Sequence, residues 1–140
     1  MLYPQQNDVR NRLDLSGFWA FQMDPEEVGE SQGWYDGLSE PRRIAVPGSW
    51  NEQFADAYNY LGMAWYVRDC YVPSGWEGQR VMIRVGSANY FARVWVNGIA
   101  VGEHEEIGAL RLRRVPAVPA DGHDRESAVA LERVHEPGDR

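Results

Sequence analysis

One stretch of this chain leaves few folds open. From Gln79 to Val85 apolar and polar residues alternate, with Val81, Ile83 and Val85 on one parity and Arg80 and Arg84 on the other. After a short break at Gly86-Ser87-Ala88-Asn89, alternation resumes from Tyr90 to Asn97. A period of two sends successive side chains to opposite faces of a strand, which a helix cannot do. The second run ends in Asn97-Gly98, the residue pair that accepts the positive φ angles a two-residue hairpin demands. The segment is therefore expected to be a sheet-forming meander that turns sharply at Asn97-Gly98.

The rest of the chain supplies strands to go with it. Leu13 to Met23 reads as a strand, with Trp19, Phe21 and Met23 on one face and Phe18, Ala20 and Gln22 on the other. Asp24-Pro25 ends it, and the polar segment Pro25 to Asp36 has room for a short turn of helix. Arg43 to Val46 is a short strand stopped by Pro47-Gly48. Asn51 to Asn59 is an irregular loop with one helical turn. Leu61 to Val72 is the longest strand, terminated by Pro73-Ser74-Gly75, and Ile99 to Gly102 returns from the hairpin. Residues 1–12 read as an exposed lead-in. Several short strands separated by turn signals predict an all-β antiparallel sandwich. Its core is expected to gather Trp19, Trp65, Ile83 and one of Val94 or Trp95, because neighbours on a strand face opposite ways.

Composition narrows the function. A chain of 140 residues is one domain by length, large enough to bury about two-thirds of its unfolded surface. Aromatic residues make up 12% of it, a load that suits a sandwich core. The net charge of −7 argues against nucleic acid and anionic membranes, both of which demand a basic face. Cys70 is the only cysteine, so no intrachain disulfide is possible. The first residues, Met-Leu-Tyr-Pro-Gln-Gln-Asn-Asp, are polar and do not read as a signal peptide. No apolar run approaches the ~20 residues of a membrane span. The cytoplasm is the expected compartment. All 14 basic residues are arginine, which fits a GC-rich coding sequence better than any demand of a fold.

Several motifs in order resemble the N-terminal domain of glycoside hydrolase family 2, its β-glucuronidase branch in particular. They are Leu15-Ser16-Gly17-Phe18-Trp19-Ala20-Phe21, Ala45-Val46-Pro47-Gly48-Ser49-Trp50-Asn51-Glu52-Gln53, Gly62-Met63-Ala64-Trp65-Tyr66-Val67-Arg68, Val72-Pro73-Ser74-Gly75-Trp76 and the run Trp76 to Gly98. The likeness covers about residues 1–105. It implies a jelly-roll β-sandwich of the galactose-binding-domain-like kind, truncated here. It also implies a non-catalytic domain that supports a (β/α)₈ catalytic barrel and an immunoglobulin-like domain, both absent from this chain, in a homo-oligomeric hydrolase. No cofactor is implied. The other readings kept open are a stand-alone carbohydrate-binding module and a truncation product without function.

Beyond residue 105 the character changes. Every aromatic residue lies at or before Trp95. Alternation fades except from Ala109 to Val115, and Asp124 to His135 reads as a weak helix with Ala128 and Leu131 on one face. Where the family continues with Gly-Gly, an aromatic or His, and Pro-Phe, this chain has Glu105-Glu106-Ile107-Gly108-Ala109. Leu110 to Arg114 can be written CTA-CGC-CTT-CGA-CGC, which read from the second base gives Tyr-Ala-Phe-Asp-Ala, close to the family's continuation. Residues 106–140 are thus expected to be a divergent, poorly ordered tail. It is either translated out of frame, so that sheet edges are left unpaired, or divergent in its own right.

No residue is assigned a catalytic, substrate-contacting or metal-binding role. A retaining glycosidase needs two carboxyl groups about 5 Å apart, which the resemblance places in the absent barrel. The family's substrate-approaching Asp in this domain lies beyond the matched region. Glu26-Glu27 and the acids from Glu103 to Glu106 around His104 read as solvated charge. His104, His123 and His135 are isolated, without the ligand spacing of a metal site. Cys70 sits inside a strand as a small filler. Gly86-Ser87 follows a strand, but no helix opens after it to make a phosphate loop. Trp19, Trp65 and Trp95 read as core. Trp34, Trp50 and Trp76 stand in or beside loops, where an indole face can stack on a pyranose or meet a neighbouring domain.

Overall fold

In the computed structural model the residues described are 11–76, 79–88, 91–105, 108–114 and 125–134. They form strands β1 (Gly17–Asp24), β2 (Arg42–Val46), β3 (Met63–Val72), β4 (Met82–Ala88), β5 (Phe91–Val96), β6 (Ile99–Glu105), β7 (Gly108–Arg114) and β8 (Arg125–Val134). One short helix, α1 (Trp50–Gln53), and 3₁₀ turns at Ala55–Ala57 and Ser74–Trp76 complete them. Six strands make one sheet in the order β2-β1-β3-β8-β5-β6, and β4 and β7 pair as a second. All pairings are antiparallel. The Asn97-Gly98 hairpin forms as the sequence predicts. Both residues have positive φ, 50° and 78°, and Val96 pairs with Ile99 across the turn.

Strands β3 and β5 of the large sheet carry buried residues on both faces. On one face Phe21, Ile44, Trp50, Ala57, Ala64 and Tyr66 pack together, with Trp19 at the margin. Trp19 continues into a second cluster where Val94 meets Ile83 and Val85 of β4, so the two-stranded sheet lies over this side. On the opposite face Trp65, Val67 and Trp95 are covered by Trp34, Val28, Tyr35 and Leu38 from the segment between β1 and β2. The expectation of a single core is corrected here. Trp65 and Trp95 lie on one side of the sheet, and Trp19, Val94 and Ile83 lie on the other. Val94 and Trp95 are both buried, at 1% and 8% exposure. Alternation does separate them, but it separates two interiors. A strand covered on both sides has no solvent face, and its sequence reads as an apolar run, as Ala64-Trp65-Tyr66-Val67 does.

The weak helix expected over 124–135 is also corrected. Arg125–Val134 is a strand at the heart of the large sheet, paired with β3 from Met63 to Val72 and with β5 from Phe91 to Val96. Without it, β3 and β5 would each present a row of unpaired backbone N–H and C=O groups to an apolar interior, at a cost that outweighs helix propensity. Its small and branched residues, Ser127-Ala128-Val129-Ala130-Leu131, suit a strand flanked on both sides. Residues 108–114, also in the expected tail, form β7 beside β4. Residues 1–10 of the lead-in, and residues 106–107, 115–124 and 135–140 of the tail, lie outside the described residues.

Candidate functional site

The loop motif from Ala45 to Gln53 is wired to itself. Ser49 caps α1, its hydroxyl accepting from the Asn51 backbone N–H at 3.2 Å. The Asn51 side-chain amide donates to the carbonyls of Ala57, Tyr58 and Tyr60 at 2.8, 3.2 and 3.1 Å, closing the irregular loop. Gln53 accepts from the Ala45 N–H at 2.8 Å and donates to the Ala45 carbonyl at 2.9 Å, taking the place of a neighbouring strand at the outer edge of β2. Trp50 is 1% exposed and donates its indole N–H to the Tyr60 carbonyl at 3.1 Å. It therefore offers no face to a sugar. The Tyr60 hydroxyl donates to the Met63 carbonyl at 2.6 Å, and burial pushes its phenol up from the ordinary value.

A second construction straps the other face. Asp24, at the end of β1, is 1% exposed. Its Oδ1 accepts from the Val28 N–H at 2.8 Å. Its Oδ2 accepts from the Gly29 N–H at 2.8 Å and the Trp65 indole N–H at 3.0 Å. Gly29 is required there by close approach, because a Cβ would overlap the Trp65 indole. The segment, where the sequence left room for a short turn of helix, is a chain of turns closed by bonds such as Gln32 N–H to Val28 carbonyl and Trp34 N–H to Gly29 carbonyl, both 2.9 Å. It lays Tyr35 flat on Trp95, with ring centroids 4.5 Å apart and planes 13° from parallel. Trp34 is buried with it, so this loop indole is core as well. Arg93 ties the strap to the sheet by an ion pair to Glu30 at 3.0 Å, and pairs across the β5–β6 ladder with Glu103 at 3.3 Å.

The strap leaves part of that face bare. The register of β1 and β2 sets Ala20 opposite Arg43 and Phe18 opposite Ala45, which brings Phe18 and Arg43 together. Phe18 is 59% exposed, and the Arg43 guanidinium lies 4.4 Å from its ring centroid. With Trp19, Ala20, Pro41 and Arg42 they line an open groove of about 360 Å³. Arg42 is already engaged, stacked 4.3 Å over Phe54 and paired with Asp56 at 2.7 Å. That partner holds the Asp56 carboxyl below its ordinary value. The sequence reading missed this groove and missed Asp24, whose Asp-Pro pair reads only as a strand stop.

Among the described residues, the remaining singled-out ones are spread over several elements and turns. Glu26 and Glu27 are exposed at the start of the strap, and Glu103 is spent on Arg93. His104 pairs with Ala92 in the ladder between β5 and β6. Glu106, His123 and His135 lie outside the described residues. Cys70 packs beside Val94, and burial pushes its thiol up from the ordinary value. Trp76 is half-buried in a 3₁₀ turn, and Gly86-Ser87 lies within β4. Among the described residues no three His, Cys, Asp or Glu side chains group as a metal site would require.

A family described as glycosyl hydrolases family 2, sugar binding domain, matches residues 13–110, and the chain belongs to that family. It is 38% identical over 108 residues to a β-glucuronidase of Paenibacillus borealis and 39% identical over 120 residues to that of Canis lupus familiaris. Each match takes in 75% of this chain and 18% of the relative, so the chain spans less than a fifth of their length. Among solved structures, the β-glucuronidase from Ruminococcus gnavus in complex with D-glucuronic acid superposes with a TM-score of 0.88 at 32% identity. That superposition covers 96% of this chain and 23% of that one.

Proposed function

We propose that this chain is the non-catalytic domain of a β-glucuronidase-type hydrolase. In this reading the bond-breaking carboxyl pair belongs to a catalytic barrel elsewhere in the enzyme, and this domain braces that barrel and its neighbours. The observation that carries the reading is the coverage. Nearly all of this chain superposes on a β-glucuronidase, yet it accounts for only 23% of that protein. The architecture agrees with a bracing role. The loop motif and strap spend their polar side chains on rigidity, with Asn51, Gln53 and Asp24 all bonded to backbone within the domain. Of the described acids, Glu26 and Glu27 are exposed in a turn and Glu103 is ion-paired.

Two measurements test it. The purified chain should release no aglycone from an aryl β-glucuronide. Turnover that persists after host glucuronidase is removed refutes the reading. A hybrid in which residues 13–134 replace the matching domain of the Paenibacillus borealis enzyme should fold and hydrolyse the same substrate. A soluble but inactive hybrid, beside an active parent, tells against it.

A further inference from the structure

We propose that the groove between Phe18, Pro41 and Arg43 binds a carboxylate-bearing pyranose, that is, a uronic acid residue of a saccharide. The proposal goes beyond the bracing role above by giving the domain a ligand site of its own.

Two features of the groove ask for two features of the ligand. The first is an unused cation. Acidic residues outnumber basic ones by 21 to 14 in this chain, and two of the described arginines are ion-paired, Arg42 with Asp56 and Arg93 with Glu30 and Glu103, while Arg12, Arg68 and Arg80 are not. Among the described residues Arg43 pairs with no carboxylate. It is held instead by the face of Phe18 at 4.4 Å. A cation–π contact fixes the guanidinium plane while leaving its N–H fork unspent. That fork matches a carboxylate in two-point geometry.

The second is an uncovered apolar floor. The strap shields Ala20, Trp65 and Trp95 and stops there, so Phe18 stays 59% exposed beside Pro41. A pyranose presents a C–H face that an apolar floor desolvates and a hydroxyl rim that remains in water. The volume of about 360 Å³ falls at the lower end of small-molecule pockets. A neutral sugar would leave the Arg43 fork without a partner, and a small carboxylate would leave Phe18 and Pro41 bare. A uronic acid residue uses both. The open shape of the groove suits one residue of a longer glycan held by one face, with a dissociation constant on the order of millimolar.

The test is a titration of the whole chain followed by amide chemical shifts in NMR, using D-glucuronate, D-glucose and acetate in turn. Glucuronate should shift the amides of Phe18 and Arg43 saturably, with glucose and acetate each weaker by about tenfold, the worth of one charge-assisted contact or one apolar face. Arg43→Gln should reduce glucuronate affinity about tenfold without weakening the residual glucose response. Phe18→Ser should lower affinity for glucuronate while acetate is unchanged. Both side chains lie at the surface, so the variants should keep the wild-type spectrum elsewhere. The proposal is overturned by no saturable shift at about 50 mM glucuronate, by acetate equal to glucuronate, or by Arg43→Gln binding as wild type. An active hybrid enzyme combined with a silent groove sinks this inference alone. Glucuronate binding combined with an inactive hybrid sinks the bracing role and leaves a free binding module.

Discussion

Replacing Asp24 with alanine should loosen the whole strap. The carboxylate accepts three hydrogen bonds, from Val28, Gly29 and the Trp65 indole, at 2.8, 2.8 and 3.0 Å. A bond to a charged acceptor contributes about 1.5–3 kcal/mol, and a buried donor left without a partner costs about 1–3 kcal/mol. The Val28 N–H is only part-buried, so water can take it over, but the Gly29 and Trp65 donors are buried. Counting those two and discounting for their shared acceptor gives a loss of about 3–5 kcal/mol. Asparagine should do less harm. With its oxygen turned toward Gly29 and Trp65 it keeps both and loses only the Val28 bond, a cost of about 1–2 kcal/mol. Urea unfolding followed by tryptophan fluorescence reads both values. For a chain of this size they correspond to Tm drops of roughly 10–15 °C for alanine and roughly 3–6 °C for asparagine. An alanine variant within about 1 kcal/mol of wild type, or an asparagine variant less stable than alanine, would refute the assignment of the strap's anchor to this carboxylate.

The central strand gives a second test: amides from Ala128 to Leu131, bonded into β3 and β5 on either side, should exchange as slowly as those of Trp65–Val67. Exchange at the rate of an unstructured peptide would remove β8 from the sheet. Gly29→Ala forces a Cβ into the Trp65 indole and the Asp24 carboxylate. It should cost about 1–3 kcal/mol by overpacking in the same urea experiment, and a neutral result would mean the strap stands further from the sheet. The Cys70 thiol is raised by burial, so the folded state holds its proton more tightly than the unfolded state does. Its contribution to stability is then complete below the unfolded value of 9.0 and is lost as pH rises through the higher folded value. Alkylation at mildly alkaline pH should accordingly be slower in native protein than in urea, and equal rates would contradict the burial.

Much of the fold is written locally. The presence and order of β1 to β6 follow from alternation broken by proline, glycine and Asn-Gly, because those residues fix backbone dihedrals without help from distant chain. The motif around Trp50 is legible as a unit for the same reason, since its hydrogen-bond partners lie within ten residues. The strand bounds follow less closely, since β1 starts at Gly17 rather than Leu13, β4 is Met82–Ala88 rather than Gln79–Val85, and β6 runs on to Glu105. What alternation cannot say is which parity faces an interior. In β5 both do, since β4 covers Val94 and the strap covers Trp95. The burial of Trp34 and Trp50 follows from the same double coverage, which no window of sequence contains.

The tail shows the limit most clearly. Arg125–Val134 carries only a weak helical signal, and the gap between β3 and β5 makes it a strand instead. The candidate groove has the same origin. Phe18 and Arg43 lie far apart in the chain and become neighbours through the register that pairs Ala20 with Arg43. Up to β6, sequence by itself determined most of the turns and which segments extend, because dihedral preferences and capping are properties of a few adjacent residues. Tertiary structure alone decided which faces are dry and which strand fills the centre. It also decided which carboxylate anchors a strap and which arginine lies against Phe18, because burial and hydrogen-bond satisfaction depend on segments that meet only when the sheet closes.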